Sequence, residues 1–255
     1  MKKFILLSMI FVFDAISLVS QNTRITDENN IFWKALNVNY KIHANWVINT
    51  EYQWRRADGI NSWQQSLLRL GSHYNINTKL SFRLLYAWAE TYPYGDYSIN
   101  SLGRDFTEHR LAQAFVLTDN MKSFQVSHRL MLEQRWVGRY LDTASVNEDD
   151  YFFVNRMRYL LRVNYFLSQE RSILKDIYLG AQNEILIGFG KNVNENVFDQ
   201  NRSLLCLGYR LNSKFRVEVG YLIQILQLGR EVNQRNVFQY NRGLSIGTTL
   251  NIGKS

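Results

Sequence analysis

Hydrophobic and polar positions alternate along most of the chain. The clearest case is Ser123–Trp136. Phe124, Val126, His128, Leu130, Leu132, Gln134 and Trp136 form a mostly apolar set, and Ser123, Gln125, Ser127, Arg129, Met131, Glu133 and Arg135 a polar one. A period of two argues a β-strand with one greasy and one wet face, because a helix would place its apolar residues three and four apart. Fourteen residues exceed the usual soluble strand of about 5–6 and suit a tilted strand crossing a bilayer, which needs about 9–11. The same reading predicts strands over Trp33–Ile42, Trp46–Arg55, Trp63–Tyr74, Lys79–Tyr92 and Phe106–Leu117. It continues over Tyr151–Leu167, Asp176–Phe189, Asp199–Leu211, Lys214–Leu228 and Arg235–Ile252.

The connections alternate in length. His43–Asn45, Asn75–Thr78, Thr118–Lys122 and Asn212-Ser213 are short, whereas Pro93–Asp105, Gly138–Asp150 and Gly190–Phe198 are long. Ser168–Lys175 departs mildly from the rule, and Gly229–Asn233 reads as a loop. Short turns on one rim and long loops on the other are the signature of an outer-membrane barrel. The fold expected is therefore an all-β, transmembrane, antiparallel up-and-down barrel with short periplasmic turns and longer extracellular loops. Eleven segments are visible, and bacterial barrels usually have even counts. Twelve strands are expected, with Thr23–Asn30 or a break in a long strand supplying the extra one, and ten is the alternative.

Composition supports this class. Among 255 residues there are 15 Tyr, 15 Phe and 6 Trp but a single proline, Pro93, as befits a chain that is nearly all strand. The single Cys206 excludes an internal disulfide and a cysteine metal site. Lys2-Lys3 followed by the apolar run Phe4–Phe13 and small residues before Gln21 reads as a secretory signal peptide over residues 1–20. Residues 21–30 are expected to be a polar, irregular segment and 31–253 a single barrel domain, integral to the outer membrane after export.

With the apolar sets toward lipid, the opposite face carries Arg55, Arg69, Arg83, Arg110, Arg129, Arg135, Arg156, Arg158, Arg162, Arg202, Arg210 and Arg216. It also carries Glu51, Glu108, Glu133, Glu184 and Glu218. An Arg at the bilayer midplane costs about 2–4 kcal/mol, so these charges belong inside. The candidate site is thus an interior charge network of Glu108, Arg110, Arg129, Glu133, Arg135, Arg156, Arg158, Arg162, Glu184, Arg202, Arg216 and Glu218. It either plugs a narrow barrel or lines a pore whose positive field favours small anionic solutes. Folding the hairpin back near Asn120 leads to the expectation that Glu108 meets Arg129, or Arg110 meets Glu133. The basic residues are spread at strand spacing, which argues against nucleic-acid binding despite a net charge of +8.

No catalytic residue, metal ligand or cofactor site is assigned. Ser72-His73 and Ser127-His128 are adjacent in sequence, and neighbours on a strand face opposite ways, so neither pair forms a nucleophile–base couple. His109 and His128 fall on the outward parity of neighbouring strands, with Gln113 and Gln134 close by.

Four stretches carry a resemblance: the hairpin from Trp33 ending in Tyr52-Gln53-Trp54-Arg55-Arg56, Glu108-His109-Arg110-Leu111, Ser127-His128-Arg129-Leu130 with Glu133-Gln134-Arg135, and Asn155-Arg156-Met157-Arg158-Tyr159. Through them the chain, over roughly residues 25–252, resembles domain-of-unknown-function family 2490. That resemblance implies an outer-membrane barrel and carries no activity, ligand or catalytic residue. The function expected is a structural barrel or narrow passive pore that contacts outer-membrane lipid and is inserted by barrel-assembly machinery. A rim enzyme acting on lipid and a soluble ligand-binding barrel are the alternatives.

Overall fold

A computed structural model describes residues 24–167, 176–193 and 196–253. The expected signal peptide and the turn Ser168–Lys175 lie outside the described residues. The described residues form eleven strands: β1 Arg24–Lys41, β2 Trp46–Ala57, β3 Ser62–Asn75, β4 Leu80–Thr91, β5 Phe106–Asn120, β6 Phe124–Arg139, β7 Asp150–Phe166, β8 Ile177–Phe189, β9 Phe198–Arg210, β10 Phe215–Val232 and β11 Arg235–Gly253. Each strand pairs with its sequence neighbours, and β1 closes on β11, so the sheet is a closed all-β barrel.

The count is eleven because the stretch expected to supply a separate twelfth strand is continuous with the first. Arg24–Lys41 is one strand of 18 residues. The segment expected to be irregular up to Asn30 is therefore strand from Arg24 onward. Its own alternation explains this: Ile25, Asp27, Asn29 and Ile31 turn inward, and Asp27, Asn29 and Ile31 are buried. The second correction concerns residues 229–232, expected as loop. β10 runs on to Val232 after a register shift between Gln227 and Glu231, and the hairpin turns at Asn233-Gln234, both at positive φ (51° and 60°). Two successive left-handed residues make the tight turn that matches strand twist.

An odd count forces one parallel seam. β1 and β11 run parallel from Arg24 opposite Asn236 to Lys41 opposite Gly253, while the other ten pairings are antiparallel. Parallel pairing is slightly weaker per residue, and the seam offsets this with length. The start of β1 shares a rim with the long connections, and the end of β11 shares the other rim with the short turns.

The connection between β4 and β5 folds over the barrel mouth rather than standing away from it. The Tyr94 hydroxyl donates to Gln239 at 2.7 Å and accepts from Asn241 at 3.0 Å. Gln239 also donates to the Tyr97 carbonyl at 2.9 Å, and Arg230 to the Ser98 carbonyl at 2.9 Å. Burial pushes the Tyr94 phenol above its ordinary pKa. Beneath this connection Leu226, Leu228 and Val237 form a small apolar cluster with Ile25, Tyr97 and Ile99 against it.

Close approach at the seam depends on Gly243, opposite Ile31. A Cβ there would lie 1.6 Å from the Ile31 carbonyl oxygen. Gly243→Ala should lower stability by about 1–3 kcal/mol through overpacking, seen as a reduced urea midpoint. Gly229→Ala, where the nearest atom would be 3.8 Å away, should leave the midpoint close to wild type.

Candidate functional site: an arginine–carboxylate belt inside the barrel

Eleven of the twelve arginines expected to face inward line the two cavities of the barrel, and Arg210 instead stands over Phe166 and Tyr178. On β5, β6 and β7 alternation turns Glu108, Arg110, Glu133, Arg135, Arg156 and Arg158 to the same inner face, where Arg156 is only 1% exposed. Arg156 anchors the group. Its Nε donates to Glu133 at 2.8 Å and its Nη1 to Asp199 at 2.5 Å. Glu133 also accepts from Arg158 Nη1 at 3.1 Å. Arg158 reaches on to Glu184 at 2.8 Å, and Glu184 accepts from Arg129 at 2.6 Å. The result is a continuous chain, Asp199–Arg156–Glu133–Arg158–Glu184–Arg129. Beside it Glu108 bridges Arg110 at 2.7 Å and Arg135 at 2.8 Å.

The expected partners within the β5–β6 hairpin are corrected here. Neither Glu108–Arg129 nor Arg110–Glu133 forms. Arg110 stands directly opposite Arg135, and Ala112 opposite Glu133. The strands pair down to Asn120 opposite Gln125, so the turn is centred beyond Asn120. Thr118 and Asp119 stay in the strand, held by a 3.1 Å Thr118–Ser127 hydroxyl contact and a 2.8 Å Lys79–Asp119 ion pair. Like charges opposite each other are unfavourable, and the Glu108 carboxylate between Arg110 and Arg135 resolves the conflict.

The remaining expected residues lie nearer the short-turn rim. Arg162 pairs with Glu218 at 2.5 Å, Glu218 accepts from the Tyr178 hydroxyl, and Arg216 stands 3.9 Å from Glu218. Glu51 and Arg69 form a further pair. Arg202 is 3.8 Å from Glu184, too far for a hydrogen bond.

Three groups in this layer lie outside the expected charge network. Asp199 turns inward at a register shift that leaves Leu186 opposite Gln200 and Ile187 opposite Phe198. The run of polar residues from Asp199 to Ser203 is its trace in the sequence. Trp33 also faces inward, with the Arg55 guanidinium 3.8 Å over its ring and that of Arg202 at 5.4 Å. Glutamines complete the set. Arg55 donates to Gln53 at 2.9 Å and Gln65 at 2.7 Å, and Arg202 to Gln200 at 3.0 Å.

Two cavities flank the belt. One, of about 290 Å³, lies on the long-loop side, and the other, of about 630 Å³, on the short-turn side. Arg55 and Arg202 line both, so these two side chains form the wall between them.

On the outer surface His109 and His128 do not come together. His109 is opposite Trp136 and His128 opposite Leu117. Each is instead bonded to a tyrosine of the next strand, Tyr86 with His109 at 2.7 Å and Tyr159 with His128 at 2.8 Å. Gln113 and Gln134 bond each other at 3.2 Å. Among the described residues no group of three or more His, Cys, Asp or Glu could hold a metal ion.

Fold and interior together define a closed β-barrel whose inner wall over β5 to β9 carries a network of ion pairs. A family model described as "Protein of unknown function (DUF2490)" matches residues 30–236, and the chain belongs to that family. No curated protein matches the sequence.

Removing one partner of a buried ion pair strands the other charge, at roughly 3–5 kcal/mol. Glu133→Gln takes the carboxylate from both Arg156 and Arg158, so its urea midpoint should fall by an amount in that range. Arg139→Gln breaks a pair with Asp150 whose members are 46% and 49% exposed and should cost no more than about 1 kcal/mol.

Proposed function

We propose that the protein is an integral outer-membrane β-barrel whose interior is closed at mid-height, a wall element of the membrane rather than an open pore. The observation that carries this reading is the outer surface. Its exposed residues include Leu36, Ile48, Leu70, Leu84, Leu130, Met157, Leu179, Leu205, Val219 and Leu244, and Leu205 is 66% exposed. A water-soluble barrel rarely exposes a contiguous apolar patch beyond a few hundred Å². Here the apolar face encircles the molecule.

Aromatic rings sit at two levels of that surface. Trp46–Tyr74, Phe82–Phe115 and Phe124–Tyr165 contacts lie near the short turns. Phe32–Trp54, Trp54–Trp63, Trp63–Tyr92 and Trp136–Phe153 contacts lie toward the long loops. From Trp46 to Trp54 along β2, at about 3.3 Å per residue and a tilt near 40°, the levels are roughly 20 Å apart. That is close to the ~25 Å apolar band, edged by aromatic girdles, of outer-membrane barrels. The signal-peptide pattern of residues 1–20 supports export.

The belt supports the closed reading. Guanidinium groups bonded to two carboxylates each, as Arg156 and Arg158 are, leave little room for a continuous water column. A rim enzyme receives no comparable support, since His109 and His128 are bonded to tyrosines and not to a Ser or a carboxylate.

Two measurements test this reading. Leu130→Arg turns a guanidinium outward, and it should impair insertion by about 2–4 kcal/mol, while Gln125→Arg, facing inward, should be milder. Equal urea midpoints for the two variants in vesicles would refute the membrane-facing surface. Refolded wild-type barrels in a planar bilayer should show no steady single-channel conductance, and regular open-channel steps would refute the closed interior.

A further inference from the structure

The belt contains more cations than carboxylates. Among the described residues Arg110, Arg129, Arg135, Arg156, Arg158 and Arg202 share Glu108, Glu133, Glu184 and Asp199, and Arg55 stands beside them outside these pairs. The excess is not spread evenly. Arg55 has no carboxylate within ion-pair distance among the described residues, and Arg202 has one only at 3.8 Å. Both are held by neutral amide oxygens: Gln53 and Gln65 for Arg55, Gln200 for Arg202. Gln65 is itself fixed by donating to Thr91 at 2.7 Å, and Gln224 by donating to Gln200 at 2.9 Å. The Arg202 Nη1 group makes no hydrogen bond among the described residues. A buried charge is costly unless a counter-charge meets it, and here two guanidinium groups line an interior cavity, Arg55 with no ion-paired carboxylate among the described residues and Arg202 with Glu184 only at 3.8 Å.

We infer that Arg55 and Arg202 form a binding site for a small organic anion, with its oxyanion on the two guanidinium groups and its apolar body in the cavity on the long-loop side. The cavity has the form for it. Its volume of about 290 Å³ stands at the lower end of small-molecule sites, which pair apolar walls with a few placed polar groups. Phe106, Val137, Val154 and Leu226 supply apolar wall, Gln64 and Tyr94 polar positions, and the two lining carboxylates, Glu108 and Asp199, are each already ion-paired to arginines. The planar forks suit a carboxylate or a phosphate group. Trp33, against both guanidinium groups, fixes their planes and reports on them. Because the same two arginines also line the second cavity, an anion held there would stand at the junction between the two halves of the interior.

This site does not require the closed reading above: a barrel that conducts steadily yet binds the anion refutes that reading and keeps the site. The test uses the refolded full barrel in detergent, titrated with benzoate, inorganic phosphate and the neutral isostere benzamide. Tryptophan fluorescence and thermal midpoint are the readouts. Benzoate should produce a saturable fluorescence change and raise the midpoint, benzamide should do neither, and phosphate should bind more weakly than benzoate. Trp33→Phe should lose most of the fluorescence change yet keep the midpoint shift. Arg202→Gln should weaken benzoate at least tenfold, and should lower the unliganded midpoint less than Glu133→Gln does, because its one carboxylate contact, Glu184 at 3.8 Å, is not a hydrogen bond. Should Arg202→Gln fail to refold, Arg202→Lys, which keeps the charge but loses the fork, should still weaken benzoate measurably. Wild-type affinity in the refolded variant, equal responses to benzoate and benzamide, or no response to benzoate would each overturn the site. Phosphate binding as tight as benzoate would overturn the apolar half of the proposal.

Discussion

A strand offers its side chains two faces, and in this barrel one of them is given over to apolar residues around the whole circumference. Almost every long polar side chain of the strands must then fit inside a ring of eleven strands. That confinement governs the rest. Arginines that would be independent on an open surface are brought within reach of one another, and each buried carboxylate serves two or three of them, as Glu184 does for Arg129, Arg158 and Arg202. Such pairs contribute little net stability against well-packed apolar groups. What they provide is a single arrangement: any slip in register by one residue would turn the charges outward, so the belt and the apolar exterior specify the same pairing.

The parallel seam follows from the same geometry. An odd number of up-and-down strands cannot close antiparallel throughout, and the seam must be made where β1 meets β11. Two features strengthen it. Its register is long, and the small Gly243 lets β11 approach the Ile31 backbone. The β4–β5 connection then ties Tyr94 and Tyr97 to Gln239 and Asn241 on β11 and to Asp27 on β1. A loop that begins three strands away from β1 thus clamps the seam where antiparallel exchange is lacking.

Alternation made most of this fold legible, including the strand pattern and the parity that sets His109 and His128 apart from the buried charges. It failed where the period itself breaks. Asp199 and the extension of β10 to Val232 both follow register shifts, which move a residue to the other face without changing composition. The partners of Glu108 were misassigned because the register of a hairpin depends on where its turn is centred, and Thr118 and Asp119 read as turn residues although their cross-strand contacts keep them paired. Trp33 and the glutamines were invisible for a different reason. An inward tryptophan or glutamine matters here only through the arginines it touches, and those contacts join strands that are far apart in sequence.

The contrast between two kinds of buried arginine links stability to chemistry. Arg156 and Arg158 are met by carboxylates on two sides, so their charge is cancelled locally and a further anion would gain little from them. Arg55 and Arg202 are oriented just as firmly, but mainly by amide dipoles and an indole face, with no carboxylate among the described residues hydrogen-bonded to either and Glu184 only at 3.8 Å from Arg202. An amide oxygen is a weaker partner for a guanidinium than an oxyanion is, so either group can exchange it for one. Had selection acted on rigidity alone, a Glu at position 65 or 200 would hold the same guanidinium groups more tightly. Glutamine at both positions leaves the one part of the interior that adjoins both cavities charged and open to a ligand.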